Sequence, residues 1–171
     1  QNSVNVTAES DASSVMSSNG VGAAVAIVYT DIKNIAEVKG TQKAGTLTVK
    51  AVNPTAEVKN EDGTTSVVPV KNYVTIQSLA GAGASNVGVA GSVAVNVYNE
   101  KYDASVENAE LTASGDSELT AKSLHEMSIY SGASADNDGG ATSVNAKPTG
   151  VGASFGANFA FYDVYAHIVD G

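Results

Sequence analysis

The sequence predicts an all-β fold, a parallel β-solenoid (β-helix) built from three imperfect repeats. Three observations carry this expectation. One apolar stretch occurs three times without a gap: Ala23 to Val38, Gly91 to Val106 and Ala153 to Ile168. Most other segments alternate apolar and polar residues with period two, the pattern of half-buried strands. No segment carries a capped apolar stripe of helical period. A β-sandwich with repeated long strands satisfies the same pattern and stays open as the alternative.

Taken in order, Ser3 to Glu9 sets Val4, Val6 and Ala8 against Asn5, Thr7 and Glu9, a strand. Asp11 to Asn19 is Ser-rich and reads as a loop. The first copy follows as a long strand pair with a polar turn at its centre. Val25, Ile27 and Tyr29 are expected to face the core, as are Val93, Val95 and Val97 in the second copy. The small residues between them, Ala24 and Ala26 or Ser92 and Ala94, are expected outside, where they admit a second layer closely. Gly45 to Val52 alternates with Leu47, Val49 and Ala51 on one face. Thr55 to Lys71 reads as a hairpin around Glu61-Asp62-Gly63, with Pro69 confining its second strand to an edge. Asn72 to Leu79 sets Val74 and Ile76 against Tyr73, Thr75 and Gln77. After the second copy, Glu110 to Ala113, Ser117 to Ser123 and His125 to Tyr130 are short strands. Ser131 to Thr149 is a polar connection into the third copy.

The copies are spaced by 68 and then 62 residues, and their columns match: Val25, Val93 and Phe155; then Ala26, Ala94 and Gly156; later Ala36, Ala104 and Ala166. Leu47-Thr48-Val49-Lys50 and Leu119-Thr120-Ala121-Lys122 form a second shared element, and Val6-Thr7-Ala8-Glu9 is similar to it. Insertions confined to connections are what stacked repeats tolerate. The expected organisation is one β-repeat module over 1–171, with repeat cores at 20–52, 88–123 and 150–171 and a hairpin insertion within 55–79.

Composition bounds the chemistry. Net charge is −9 and all nine basic residues are Lys. Without Arg there is no bidentate fork for phosphate or guanine, and an acidic chain repels nucleic acid. No nucleic-acid partner is therefore expected. The absence of Cys excludes disulfides, thiolate metal sites and Cys nucleophiles. The longest apolar run, Val21 to Tyr29, is far short of a membrane helix, so no membrane insertion is expected. The opening residues lack the basic and apolar regions of a signal peptide; a leader is expected to have been removed or to lie in a longer chain.

No constellation commits to catalysis, and no enzyme is expected. Gly152-Ala153-Ser154-Phe155-Gly156 matches the G-x-S-x-G nucleophile elbow, yet Asp163, His167 and Asp170 follow too closely to supply an acid and a base from separate loops. Asp136 and Asp138, in Asp136-Asn137-Asp138-Gly139-Gly140, place hard oxygens on a flexible turn and are the calcium candidates; no other cofactor is expected. The bland alternative is a solvated loop. Tyr98, Tyr102, Tyr162 and Tyr165 are candidate ligand-binding residues if exposed, since an aromatic on a flat sheet stacks on a sugar ring; cross-strand packing is the plainer reading. Asn96 and Asn158 share a column, and stacked amides would satisfy each other if buried. Val4 and Val6 on the first strand, with Phe159, Phe161 and Ile168 on the third copy, are the candidates for self-association. That copy ends before any short strand like those after the first two.

The string G-x-G-A-x-V-A-V-N-V, then a polar turn, A-x-V and later L-T-A, resembles the repeats of leukotoxin-type and filamentous-haemagglutinin-like bacterial surface adhesins. The matching stretches are Gly20 to Val28, Val89 to Val97 and Val151 to Phe159, with Ala36/Val38, Ala104/Val106 and Ala166/Ile168 after them. Thr55 to Leu79 departs from the pattern. The resemblance implies an exported right-handed β-solenoid stalk at the bacterial cell surface. It also implies adjacent repeats, and surface glycans or proteins of a host or neighbouring cell, as partners. It supplies no catalytic residues. The expected function is a structural, non-catalytic module that stacks head to tail. The alternative is a carbohydrate- or receptor-binding module that uses the tyrosines and polar loops.

Overall fold

The computed structural model describes residues 3–13, 19–83, 87–136 and 149–169. The fold is all-β, with no helix among the described residues. In chain order the strands are β1 (Ser3–Ser13), β2 (Asn19–Lys39), β3 (Gln42–Ala44), β4 (Leu47–Val52), β5 (Thr55–Lys59), β6 (Thr65–Pro69), β7 (Asn72–Gly83), β8 (Val87–Glu107), β9 (Leu111–Ala113), β10 (Ser117–Lys122), β11 (His125–Asp136) and β12 (Thr149–Val169).

Strands at the same place in successive repeats pair in parallel. The sheets run β1-β7-β11, β2-β8-β12, β3-β9 and β4-β10; among the described residues only the β5-β6 hairpin is antiparallel. The long sheet has the register of the repeat columns. Val25 lies beside Val93 and Val93 beside Phe155, with no slip across 21 residues. Each copy is one continuous strand. The expected polar turn within each copy does not form; in β8 the polar side chains from Asn99 to Tyr102 keep alternating between two sides that both have partners for them.

The long strands span two interiors. Their first half packs against β1-β7-β11 through Ala26, Val28, Ala94 and Tyr98 on one side and Val74 and Ile76 on the other. Their second half packs against β4-β10 through Tyr102, Ala104 and Val106 against Val49 and Ala51. The expected orientation is reversed. Ala24, Ala26 and Val28 point inward, while Val25, Ile27 and Tyr29 are each more than half exposed. Val93, Val95 and Val97 also lie on the outward side. The cause is space. Two sheets normally pack about 10 Å apart, but here Gly and Ala bring them closer. A Cβ on Gly22 would collide with the Gly81 carbonyl oxygen, and one on Gly152 would sit 2.9 Å from the Ala133 carbonyl oxygen. Ala24, Ala80, Ala82 and Ala90 fill that thin end. The small residues thus permit close approach inside the molecule and not on its outer surface.

Other expectations shift by a few residues. β1 continues into the Ser-rich segment as far as Ser13, and β11 continues to Asp136. Leu119 pairs with Val49 and not with Leu47, a slip of two residues. Val6-Thr7-Ala8-Glu9 belongs to another sheet, where Val6 pairs with Ile76. A two-residue slip leaves every side chain on the same face, so alternation alone does not detect it. The extra residues sit at the corners. Gly40 (φ 78°) and Asn108 (φ 47°) each follow a long strand in the left-handed region that Gly and Asn tolerate best.

The hairpin forms as expected. Asn60 donates to Thr64 Oγ1 at 2.8 Å across its end, and the Thr64 amide donates to Asp62 Oδ1 at 2.9 Å. The Thr64 hydroxyl, which donates to Asp62 Oδ1 at 2.6 Å, and then the Thr64 amide hold the Asp62 carboxyl below its ordinary range. At its base, Asn53 donates to the Leu124 carbonyl and accepts from the Leu124 amide, at 3.0 and 2.8 Å.

Candidate functional site

The long sheet presents two different faces, because alternate residues of a strand point to opposite sides. On the inner face, polar side chains pair between repeats. Ser92 and Ser131 hydroxyls lie 2.7 Å apart. Asn96 donates to Asn158 Oδ1 at 2.9 Å, so the expected amide stack forms. Further along lies a buried carboxylate, Glu100. Asn72 donates to Glu100 Oε1 and to the Tyr102 hydroxyl, both at 3.2 Å. His125 Nδ1 lies 3.2 Å from Glu100 Oε2, off the line of a good hydrogen bond. The His125 ring stacks on Tyr162, with centroids 4.5 Å apart and planes 13° apart. Tyr98 closes the group, 5.8 Å from His125 and 6.0 Å from Tyr162. Burial, reinforced by the Glu100 charge, pushes the Tyr98 phenol well above its ordinary range and the Tyr162 phenol in the same direction. Burial likewise raises Tyr102.

Tyr98 and Tyr102 are therefore not exposed ligand-binding tyrosines. They are 0% and 2% exposed, because even-numbered positions of β8 face inward. Tyr162 joins the same group from the third repeat. Tyr165 lies outside with its hydroxyl 3.4 Å from Asp163 Oδ1. Asp138 lies outside the described residues, and Asp136 is described only as the end of β11. Among the described residues, no group of three or more His, Asp or Glu is placed to hold a metal ion. Ser154 sits inside β12 and not on a strand-to-helix turn, on the same strand as His167. An extended strand separates those two positions by roughly 40 Å.

The outer face changes character along its length. From Val21 to Tyr29 on β2, and across Val93 and Val95 to Phe155 and Phe159, it is apolar. By strand rise and spacing the stripe is about 26 Å long and about 14 Å wide. Beyond Tyr29 it turns polar. Tyr29, Asp31 and Lys33 of β2, Asn99 and Lys101 of β8, and Phe161 and Asp163 of β12 line a shallow groove of about 340 Å³. Asn99 donates to the Tyr29 hydroxyl at 2.8 Å. The last third is charged: Lys39 contacts Glu37 at 2.7 Å and Glu107 at 3.6 Å. Sequence reasoning missed Tyr29 as a surface residue because it placed the β-branched column inside.

The self-association candidates lie at the open edges. Val4 and Val6 are half-buried on β1, packed against the first core. Phe159 and Phe161 are about half exposed on β12, and Ile168 is 67% exposed. Among the described residues, β1 and β2 are edge strands on one side of their sheets and β11 and β12 on the other. Compared with protein-family models, curated proteins and solved structures, the chain matches none.

Proposed function

We propose that this chain is a structural, non-catalytic module of an extracellular bacterial fibre or adhesin, and that its repeats are coils of a parallel β-solenoid. One observation carries the reading. The three long strands pair parallel and without slip, leaving 21-residue edges, β2 and β12, unpaired among the described residues at opposite sides of the long sheet. Such edges are templates for another strand. The next repeat, in the same polypeptide or a second copy, adds there in the same direction. The resemblance of the repeats to surface-adhesin repeats supports a location at the cell surface, with adjacent repeats as the first partners. The absence of Cys is compatible with an oxidising compartment.

Electron microscopy of the purified chain at rising concentration tests this. Rods that lengthen with concentration, with strands spaced about 4.8 Å along the rod axis, are expected. Compact particles of one size at every concentration would sink the proposal.

A further inference from the structure

We infer that the groove between Tyr29 and Phe161 on the outer face is a binding site for a neutral saccharide. The groove lies across three strands. Tyr29, Asp31 and Lys33 form one wall, Asn99 and Lys101 the floor, and Phe161 and Asp163 the other wall. Outward side chains on such a sheet stand about 4.8 Å apart across strands and about 6.6 Å apart along them. A single sugar ring fits this grid, with its C–H face against an aromatic ring and its hydroxyls against the polar floor.

Charge selects the class of sugar. Lys33 lies 2.9 Å from Asp31, which raises the lysine pKa and holds it as a cation tied to that carboxylate. Lys101 lies 3.1 Å from Asp103. Both cations of the groove are thus compensated, and an anionic sugar meets no uncompensated positive charge. With Asp31, Glu100 and Asp163 beside Lys33 and Lys101, the lining offers both acceptors and donors, which suits a ligand that both donates and accepts hydrogen bonds, as vicinal hydroxyls do.

The aromatic wall is held in place before a ligand arrives. The Asn99 amide orients the Tyr29 hydroxyl and keeps its own carbonyl oxygen as an acceptor. Tyr29 and Phe161 are 65% and 58% exposed, so their ring faces are open to a ligand. This site is distinct from the buried pair Tyr98 and Tyr102, and it does not depend on whether modules stack.

Saturation-transfer NMR reads weak sugar binding on single molecules and on filaments alike. The probes are methyl glycosides of glucose, galactose, mannose and N-acetylglucosamine, with sialic acid and a sulfated galactoside as anionic comparators. At least one neutral glycoside should receive saturation at its ring C–H protons, with a dissociation constant in the millimolar range. Tyr29→Ala and Phe161→Ala should each weaken it at least tenfold with an unchanged circular dichroism spectrum. Asn99→Ala should weaken it less, by releasing Tyr29. No transfer from any neutral glycoside at 50-fold excess (about 5 mM sugar), equal or stronger transfer to the anionic sugars, or full transfer in both aromatic variants would each overturn the assignment.

Discussion

The inner and outer faces of the long sheet invert the usual rule. The inner face carries Gly, Ala, Ser and Asn over much of its length, while the outer face carries Val, Ile, Tyr and Phe. Volume decides the matter, not hydropathy. At the end where Gly22 meets Gly81 the sheets are too close for a branched side chain between them, whereas Val28, Val74 and Ile76 fill the wider interior further along. The inner face also holds the buried Glu100, which persists because Asn72 and His125 surround it.

The harshest way to break this contrast is to add volume inside. Gly22→Val would drive a branched side chain into the Gly81 backbone, costing about 3 kcal/mol or more. Ala23→Val, one residue along and outward, should change stability by less than about 0.5 kcal/mol. Chemical denaturation of the two variants measures the difference; equal losses would refute the assignment of faces.

Removing a partner of the buried carboxylate comes next. His125→Ala removes the ring that sits against Glu100 Oε2 and stacks on Tyr162, and should cost about 1–3 kcal/mol. Adding Glu100→Gln should recover part of that loss, since a neutral amide is less costly than a carboxylate to leave buried with fewer partners. A double variant as unstable as the sum of the single ones would remove the proposed coupling.

A gentler probe is alkaline pH. The folded-state pKa of Tyr98 is raised above the ordinary value of 10.0. Its contribution to stability is fully present below pH 10. It falls as the pH rises beyond that point, because the unfolded chain loses the proton first. Melting temperature should therefore drop above pH 10, and Tyr98→Phe should flatten that drop while costing some stability at pH 7.

The smallest effect is expected from deleting the hairpin. Two residues, Ser123 and Leu124, join β10 to β11, whereas Asn53 to Lys71 join β4 to β7. Deleting Pro54 to Val70 leaves Asn53 and Lys71 as a two-residue link of the same kind. The shortened chain should fold with a melting temperature within a few degrees of the parent. Loss of cooperative unfolding would show that the hairpin braces the stack.

These tests fall where sequence reading succeeded and where it stopped. The register of the long sheet was legible, because three gap-free copies line up Val25 with Val93 and Phe155. The hairpin was legible from Glu61-Asp62-Gly63 between two alternating runs. The choice of face was not, because period two fixes which residues share a side and says nothing about which side is inside. The pairing of Leu119 with Val49 was hidden for a related reason, since a shift of two preserves the pattern. The groove followed from the same error: a Tyr29 assigned to the core is not sought as a ligand platform.

The parallel pairing has a consequence for symmetry. A strand edge that must be met by another running in the same direction relates neighbours by a translation along the stack, not by a two-fold axis. Such an interface is heterologous and does not close on itself. If growth proceeds by this route, the chain has no built-in stoichiometry. Length would then be set from outside the repeat, by a terminal unit that covers the last edge.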